Sequence, residues 1–207
     1  MSDFNTVTKF EQTIADFFGA PYAVATDSCT HAVELSLILT RPAAVICPVY
    51  TYISIPFMLD KLGMNWSWSQ KSWSGYYYLN HNIIDAAPLW RRQSYVPGTM
   101  MCISFQYNKA LPLGRGGMIL LDNQEQQQML QKMAHDGRER GVAWAQQAIS
   151  MPGYHYYMTP ETAAQGLEKF EQVQHLDWAD WTTDRYPYLP SMPVFAGREQ
   201  TTARLDI

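Results

Sequence analysis

Apolar residues near the amino terminus recur at helical spacing. Phe10, Ile14 and Phe17 fall on one face of a helix, and Gly19 is a residue suited to ending it. The segment Thr8–Glu11 has the form of a capping box, so we expect the helix to begin there. The pattern predicts an amphipathic helix with one buried face.

Short apolar runs follow this helix and alternate with further helical patterns. The runs resemble buried strands: Tyr22–Ala25, AAVIC closed by Pro48, NWSWS, IIDAA, MMCISF and MILLD. The helical patterns are HAVELSLIL, the stretch YTYISIPFMLDKLG that stops at Gly63, Asn123–Asp136 and Thr159–Val173. The tail after His175 is rich in Trp, Pro and Asp without a clear period, so we expect it to be mostly irregular.

Strands that alternate with helices indicate an α/β protein, which we expect to be a three-layer α/β/α domain with a mostly parallel sheet. Ligands of such sheets bind beyond the carboxyl ends of the strands. Polar residues stand at four of these ends: the DSCT turn, Tyr50–Tyr52, Asp85 and Ser104–Lys109. Their convergence predicts a binding site.

Composition excludes several classes of partner. The 207 residues are 47% hydrophobic and 16% charged with a net charge of −4, which gives no basic field for nucleic acid or an anionic membrane. The polar start resembles no signal peptide, and no apolar run is long enough to span a bilayer, so we expect a cytoplasmic protein. Cys29, Cys47 and Cys102 lack metal-binding spacing; we expect reduced thiols and no metal site.

Four residue sets at the strand ends match what a pyridine aldehyde cofactor needs. Lys109, after an apolar strand, offers an amine for a Schiff base. Asp85 can hold the proton of a ring nitrogen. The turn Ser28-Cys29-Thr30 opens a helix and can bind a phosphate through backbone N–H groups, and Tyr52 can stack on a flat ring.

Each residue also has an ordinary structural explanation. A lysine after a strand is usually a solvated turn residue, and an aspartate at a strand end often caps a helix. Ser28 and Thr30 suit helix capping, and Tyr52 suits half-buried packing. The four together, in this order, favour the cofactor site.

Most of the chain, from FEQTIADFFGAPYAVATDSCTHAVEL to GYHYYMTPETAAQGLEKFEQV, resembles the DegT/DnrJ/EryC1/StrS family. The most specific matches are the serine, phenylalanine and lysine of SFQYNK, the following GRGG, and GYHYYMTPETAAQGL. Members of this family are fold-type-I sugar aminotransferases that use pyridoxal 5′-phosphate (PLP). The resemblance therefore implies an aspartate aminotransferase-like major domain.

The resemblance assigns a role to each candidate. It implies that Lys109 forms the Schiff base, that Asp85 is the partner of the pyridine nitrogen and that Ser104 is a phosphate ligand. Ser28, Cys29 and Thr30 fall at the phosphate turn, and Tyr52 falls where an aromatic ring stacks on the cofactor. Gln106, His155 and Tyr157 stand where substrate or cross-subunit contacts are expected.

The chain departs from the family at several points. Between Tyr52 and Asp85 about one strand–helix unit is missing, and the family's glutamine is Pro88 here. The asparagine and arginine of the family's GYNYRM segment are His155 and Tyr157, and tyrosine cannot replace a bidentate guanidinium. We expect a reduced PLP-binding major domain over residues 1–175 and a short irregular remnant of the small domain over residues 176–207.

Two functions follow from the resemblance. The first is a PLP-dependent aminotransferase that acts on a keto-sugar. The resemblance implies a nucleotide-linked sugar as the substrate, glutamate as the amino donor and a homodimer with interface active sites as the assembly. The alternative is a family member, with or without PLP, that has no catalytic activity and serves as a binding or interaction module. The dehydratase branch of the family has histidine at the lysine position, so Lys109 argues against it.

Overall fold

A computed structural model describes residues 4–197. Its helices are α1 (Asn5–Phe18), α2 (Cys29–Thr40), α3 (Ser54–Lys61), α4 (Gln124–Ala134) and α5 (Pro160–Val173). Its strands are β1 (Tyr22–Thr26), β2 (Val45–Pro48), β3 (Trp66–Ser69), β4 (Tyr77–Tyr78), β5 (Ile83–Asp85), β6 (Met100–Ser104) and β7 (Gly117–Leu121). Every helix and strand expected from the hydrophobic pattern is present, and β4 is an additional strand.

The capping box expected at Thr8–Glu11 is wrong. Helix α1 begins one turn earlier, after Phe4, with no side-chain cap. The Thr8 hydroxyl donates to the Phe4 carbonyl inside the helix, at 3.3 Å. Glu11 is buried and accepts hydrogen bonds from the Ala25 N–H at 2.8 Å and from the Arg140 guanidinium at 2.8–3.0 Å. The position of the Glu11 carboxylate is therefore fixed by contacts with residues distant in sequence and not by helix capping.

The sheet is mixed, which corrects the expectation of a mostly parallel one. Strands lie in the order β1-β7-β6-β5-β4, and β2 pairs with β3 in a separate parallel ribbon. Within residues 4–197 only β5–β6 and β2–β3 are parallel pairs. The turn after β6 reverses the chain directly, since the Phe105 N–H donates to the Gly116 carbonyl at 2.9 Å, so β7 returns antiparallel to β6.

Helices cover both faces of the five-stranded sheet, which makes the fold a three-layer α/β one. On one face Cys102 of β6 packs in a cluster with Val33 and Leu37 of α2. On the other face Met101, the preceding residue, packs with Phe10 and Ile14 of α1. Alternate residues of a strand point to opposite faces, so each apolar strand contributes to both cores.

The described part of the tail after α5 is irregular, with short 3₁₀ turns at Thr183–Arg185, Leu189–Ser191 and Pro193–Phe195. Residues 198–207 of the expected small-domain remnant lie outside the described residues. Leu189 and Phe195 are nevertheless buried. The Leu189 N–H donates to the Val49 carbonyl at 2.9 Å, and the Phe195 ring packs edge-on against Trp68. The tail therefore adds to the core of the domain. In the described part of the chain, none of the helices combines the length and the apolar character needed to cross a bilayer.

Candidate active site

A cavity of about 710 Å³ lies beyond the ends of β5 and β6 and beside the start of α2. This volume is typical of a small-molecule site. Eight of the residues predicted from the sequence line it: Ser28, Cys29, Thr30, Tyr52, Asp85, Ser104, Gln106 and Lys109. Residues separated by up to 81 positions in the chain therefore meet in one place, as expected for strand ends and helix starts that share one edge of a sheet.

The turn at the start of α2 has the form of an anion site. Ser28 is the N-cap, and its hydroxyl accepts from the His31 N–H at 3.2 Å. The N–H groups of Cys29 and Thr30 are in the first helical turn, where no intrahelical acceptor exists, and neither has an acceptor elsewhere in residues 4–197. The Thr30 hydroxyl shares a 2.7 Å hydrogen bond with Ser54. Helix N-termini of this kind bind phosphate.

Asp27 precedes this turn and contacts a histidine ring and a guanidinium. One of its oxygens lies 2.5 Å from Nδ1 of His31, and the other accepts from the Arg115 guanidinium at 2.8 Å. The His31 ring also stacks on Tyr156 at 3.6 Å. These contacts offset the charge that Asp27 would otherwise present to an anion at the helix start.

The glycine-rich turn that follows Lys109 is explained by close packing. A side chain at Gly117 would place a Cβ 2.4 Å from the backbone nitrogen of Cys29. Gly114 and Gly116 have positive φ angles of 80° and 152°, which side chains disfavour. Glycine at these positions lets the chain reverse and lets β7 lie directly against the start of α2. The turn thus positions the phosphate-type site and does not itself form it.

Asp85 is the last residue of β5 and is 4% exposed. Its Oδ2 accepts from the Tyr77 hydroxyl at 2.5 Å, and its Oδ1 accepts from the Ala87 N–H at 2.9 Å. Burial raises the pKa of Asp85, while the hydrogen bonds from Tyr77 and Ala87 and the charge of Lys109 act in the opposite direction. A cationic N–H donor placed beside this carboxylate would favour its charged form.

Cys29 occupies a position next to Asp85. Its Sγ lies 4.0 Å from Oδ1 of Asp85, and the residue is buried. Burial, followed by the charge of Asp85, raises the pKa of the Cys29 thiol. The side chain is therefore a neutral thiol. Cys47 and Cys102 are also buried.

Lys109 lies in the turn after β6, where its N–H donates to the Gln106 carbonyl at 2.9 Å. Burial lowers the pKa of Lys109, and the positive charge of Arg185 adds to this, whereas Asp85 and Cys29 oppose it. A lowered pKa increases the fraction of free amine, which is the nucleophilic form. The Nζ lies 3.8 Å from the ring centre of Trp181, a cation–π distance.

Ser104 and Tyr52 complete the predicted set. The Ser104 hydroxyl accepts from the Gln106 N–H at 3.3 Å and faces the same cavity. Tyr52 is 53% exposed, so one face of its ring is free to contact a ligand. Pro88, which replaces the family's glutamine, also lines the cavity and offers no side-chain hydrogen bond there.

His155 and Tyr157 lie outside this cavity. His155 is exposed and pairs with Asp136 at 3.1 Å. The backbone of Tyr157 bridges Thr26 at the end of β1, and its ring packs against His135 and Phe4. Within one chain these two residues therefore do not reach the site, and their expected role across a subunit interface remains a prediction.

Several cavity residues were not predicted from the sequence. Tyr77 comes from the short strand β4, and Trp181, Arg185 and Tyr186 come from the irregular tail. None of them belongs to a periodic or motif-like pattern. The concentration of aromatic residues in the tail was the only signal, and it did not indicate which of them face the cavity.

The sequence profile of the DegT/DnrJ/EryC1/StrS aminotransferase family matches residues 1–65 and 94–179. The chain belongs to this family. The matched ranges include Lys109, Ser104 and the start of α2. Asp85 lies in the unmatched stretch between them, so its assignment depends on its position at the end of β5. A search of curated protein sequences finds no match.

Several solved structures share the fold. AtS13 from Actinomadura melliaura superposes with a TM-score of 0.73 at 20% identity, covering 83% of this chain and 61% of that one. The sugar aminotransferase CalS13 from Micromonospora echinospora gives 0.67 at 17% identity, covering 83% and 61%. NtdA from Bacillus subtilis, solved with bound PMP, gives 0.67 at 17% identity, covering 82% and 48%. The chain thus spans about 60% or less of these relatives.

The residues of the cavity fit a pyridoxal phosphate. The start of α2 offers free N–H groups, Asp85 offers a buried carboxylate that forms no ion pair in residues 4–197, and Lys109 offers an amine with a lowered pKa. These are the three groups that a phosphate, a protonated ring nitrogen and an aldehyde require: N–H donors, a carboxylate acceptor and a nucleophilic amine.

Proposed function

We propose that this protein binds PLP through Lys109 and transfers an amino group to a keto-sugar, with a nucleotide-linked sugar as the expected substrate. The observation that carries the proposal is the meeting of Lys109, Asp85 and the start of α2 in one cavity. Membership of an aminotransferase family and the fold shared with sugar aminotransferases support it.

Three parts of the cavity would act in this reaction: the start of α2 with Ser104, the carboxylate of Asp85 and the amine of Lys109. The N–H groups of Cys29 and Thr30, with the Ser104 hydroxyl, would hold the phosphate. Asp85 would hold the proton on the pyridine nitrogen. When bound, PLP supplies an electron sink for the carbon that loses a proton. The carboxylate of Asp85 makes that sink effective because it keeps the ring nitrogen charged.

Lys109 would act twice. Its amine would hold the cofactor by condensing with the aldehyde group, which releases water. As a free amine, its Nζ would accept the proton that the substrate carbon loses and would donate it to the cofactor carbon. Burial, which lowers its pKa, keeps more of the side chain as the free amine at neutral pH. Trp181 lies against this amine and restricts the access of water to it.

The proposal also covers the oligomeric state, the biological role and the cellular location of the protein. We infer a homodimer with its sites at the subunit interface, a role in amino sugar biosynthesis and a cytoplasmic location. The exposed ring of Tyr107 at the cavity mouth, 72% exposed, is available for a contact with a second subunit.

The decisive experiment is the absorption spectrum of the purified protein with added PLP. We expect a band near the edge of the visible range that borohydride removes, with the cofactor then found on Lys109 by peptide mass analysis. Lys109→Ala should abolish the band and leave the circular dichroism unchanged, because its side chain contributes to no apolar core. Lys71→Ala, which changes an exposed lysine outside the cavity, is the control. A parent protein without any spectral change would contradict the proposal.

A second candidate function is a family member that binds PLP without catalysis. The ring centre of the Trp181 indole lies 3.8 Å from the Lys109 amine, where a substrate would have to bind. Pro88 lines the same cavity and lacks the side-chain amide that the family's glutamine has at this position. Adding glutamate or glutamine to the PLP-loaded protein distinguishes the two functions. Decay of the band in the parent supports the aminotransferase, and a band that persists supports the binding module.

A further inference from the structure

The segment 177–187, here called the cavity wall, crosses the site and is held at several points. The indole of Trp178 donates to the Pro88 carbonyl at 3.1 Å, and Asp180 pairs with Arg91 at 2.6 Å. The Gly75 N–H donates to the Trp181 carbonyl at 2.8 Å. These contacts fix the backbone of the wall, so the side chains that it presents to the cavity have defined positions.

The wall presents two aromatic rings and one guanidinium to the cavity. Trp181 contacts the Lys109 amine, and Tyr186 packs against Trp73 at 5.5 Å between ring centres. The guanidinium of Arg185 lies 4.8 Å from the ring centre of Trp181. Stacking on an indole holds a guanidinium in place and leaves its N–H edge free for an acceptor.

The lysine and arginine side chains that line the cavity differ in their partners. Arg115 contacts the carboxylate of Asp27. Lys109 is the predicted cofactor ligand and interacts with the charge of Asp85. Arg185 forms no ion pair with any carboxylate in residues 4–197, although four other arginines do: Arg91, Arg115, Arg138 and Arg140.

A guanidinium without a counter-charge beside aromatic rings is suited to binding an anion. Arginine pairs with carboxylate and phosphate groups through two parallel hydrogen bonds. The phosphate of the cofactor already has a candidate site at the start of α2, on a different part of the chain. Arg185 is therefore available for an anionic group of another molecule in the same cavity.

We propose that Arg185 binds an anionic group of the substrate, a carboxylate of the amino donor or a phosphate of the sugar substrate, on the cavity wall. This inference rests on the proposed function, because that function defines which molecules are substrates. Trp181 is the positioning residue that orients the guanidinium by stacking. The tail of this chain thereby supplies a specificity determinant that the profile match, which ends at residue 179, does not include.

The test measures the binding of two unreactive probes, succinate and UDP, by isothermal titration calorimetry. Succinate represents the carboxylate of a donor, and UDP represents the diphosphate of a linked sugar. Parent, Arg185→Gln and Arg92→Gln are compared, each as purified and after loading with PLP and borohydride reduction. Arg92 is the matched control because its guanidinium contacts Phe17 and Gln174 outside the cavity.

We expect Arg185→Gln to lower the affinity for at least one probe about tenfold or more, which is the loss typical of a charge-assisted hydrogen bond. Arg92→Gln should bind both probes with the affinity of the parent. A loss for succinate alone assigns the site to the donor, and a loss for UDP alone assigns it to the sugar substrate. Equal affinities in parent and Arg185→Gln, an equal loss in Arg92→Gln, or a parent that binds neither probe would each overturn the inference.

PLP uptake, measured by absorption on the same samples, separates this inference from the proposed function. If parent and Arg185→Gln take up PLP equally but bind both probes equally, the inference alone fails. If no sample takes up PLP while Arg185→Gln still loses probe affinity, the proposed function fails and the anion site at Arg185 stands.

Discussion

At the scale of single residues, the environment of Asp85 explains how a carboxylate can serve a cofactor from a buried position. The Tyr77 hydroxyl and the Ala87 N–H each donate to one of its oxygens, which fixes the plane of the carboxylate. Burial raises its pKa, so the charged form depends on these donors and on a nearby cation. The positive charge of Lys109 stabilises the charged form of Asp85, and a protonated ring nitrogen would stabilise it further.

Asp85→Asn should therefore keep PLP binding and lose reactivity. An amide has nearly the same shape and can still accept from the Ala87 N–H, but it cannot keep a ring nitrogen protonated. We expect the rate of reaction of the bound PLP with glutamate, followed by stopped-flow absorption, to fall about a hundredfold or more. Tyr77→Phe, which leaves the carboxylate in place, should show a smaller loss. An Asn variant that reacts at the parent rate would show that Asp85 has another role.

The residues that could be predicted from the sequence share one property. Asp85 ends β5, Thr30 lies in the first turn of α2, and Lys109 lies in the turn after β6, so their positions in space follow from these elements and their place in the fold. Trp181 and Arg185 lie in a segment without a period, and only its hydrogen bonds to Gly75 and neighbouring residues place them. Such contacts join residues that are far apart in the chain, so the local sequence pattern does not predict them.

At the scale of elements, the packing of α5 on α1 depends on a missing side chain. Gly166 lies in the middle of α5, and a Cβ there would be 2.6 Å from the Phe10 ring. Phe10 is fully buried, so its ring has no space into which it could move. The glycine of the AAQGL motif is thus needed for the close approach of the two helices.

Gly166→Ala should destabilise the protein although alanine is the better helix former. Overpacking against Phe10 costs about 1–3 kcal/mol, and the gain in helix propensity offsets about 1 kcal/mol of that. We expect the free energy of unfolding, from urea titration, to decrease by about 1 kcal/mol, the middle of the resulting range. Gln165→Ala, on the exposed face of the same helix, should not decrease it. An equally stable Gly166→Ala protein would mean that the helices can separate without cost.

The limits of prediction at this scale have physical causes. The helices and strands with long apolar patterns were predicted, since periodicity is a local property. The capping box at Thr8–Glu11 was wrong because Glu11 is taken up by Arg140 and Ala25, which are distant in sequence. Strand β4 was missed because two residues carry no period, and its place depends on pairing with β5.

At the scale of the whole molecule, the surface near His155 is a candidate for the dimer interface. In the family the GYNYRM segment reaches the other subunit, and here His155 is exposed beside Asp136. The adjoining loop is tied to this segment, since Gly137 and Gly153 approach too closely for side chains. The same loop exposes the ring of Trp144. Exposed aromatic residues are enriched in interfaces.

We expect light scattering at micromolar concentration to give the mass of a dimer. Trp144→Ser should shift the equilibrium toward the monomer if this face is buried in the dimer, because the variant removes a large apolar contact. Val194→Ser, which changes another exposed apolar residue in the tail, should leave the mass unchanged. A parent that is monomeric while it holds PLP would contradict the assembly.

The pairing of β1 with β7 has a consequence for how the chain is made. Strand β1 begins at Tyr22 and finds its partner only at Gly117, while Glu11 and Arg140 are 129 positions apart. During synthesis at 5–20 residues per second, the first helix and strand would wait about 5–20 s for their neighbours. Throughout that interval the phenylalanines of α1 face water. Nascent chains of this kind are exposed to aggregation, so we expect the sheet to form only after β7 has left the ribosome.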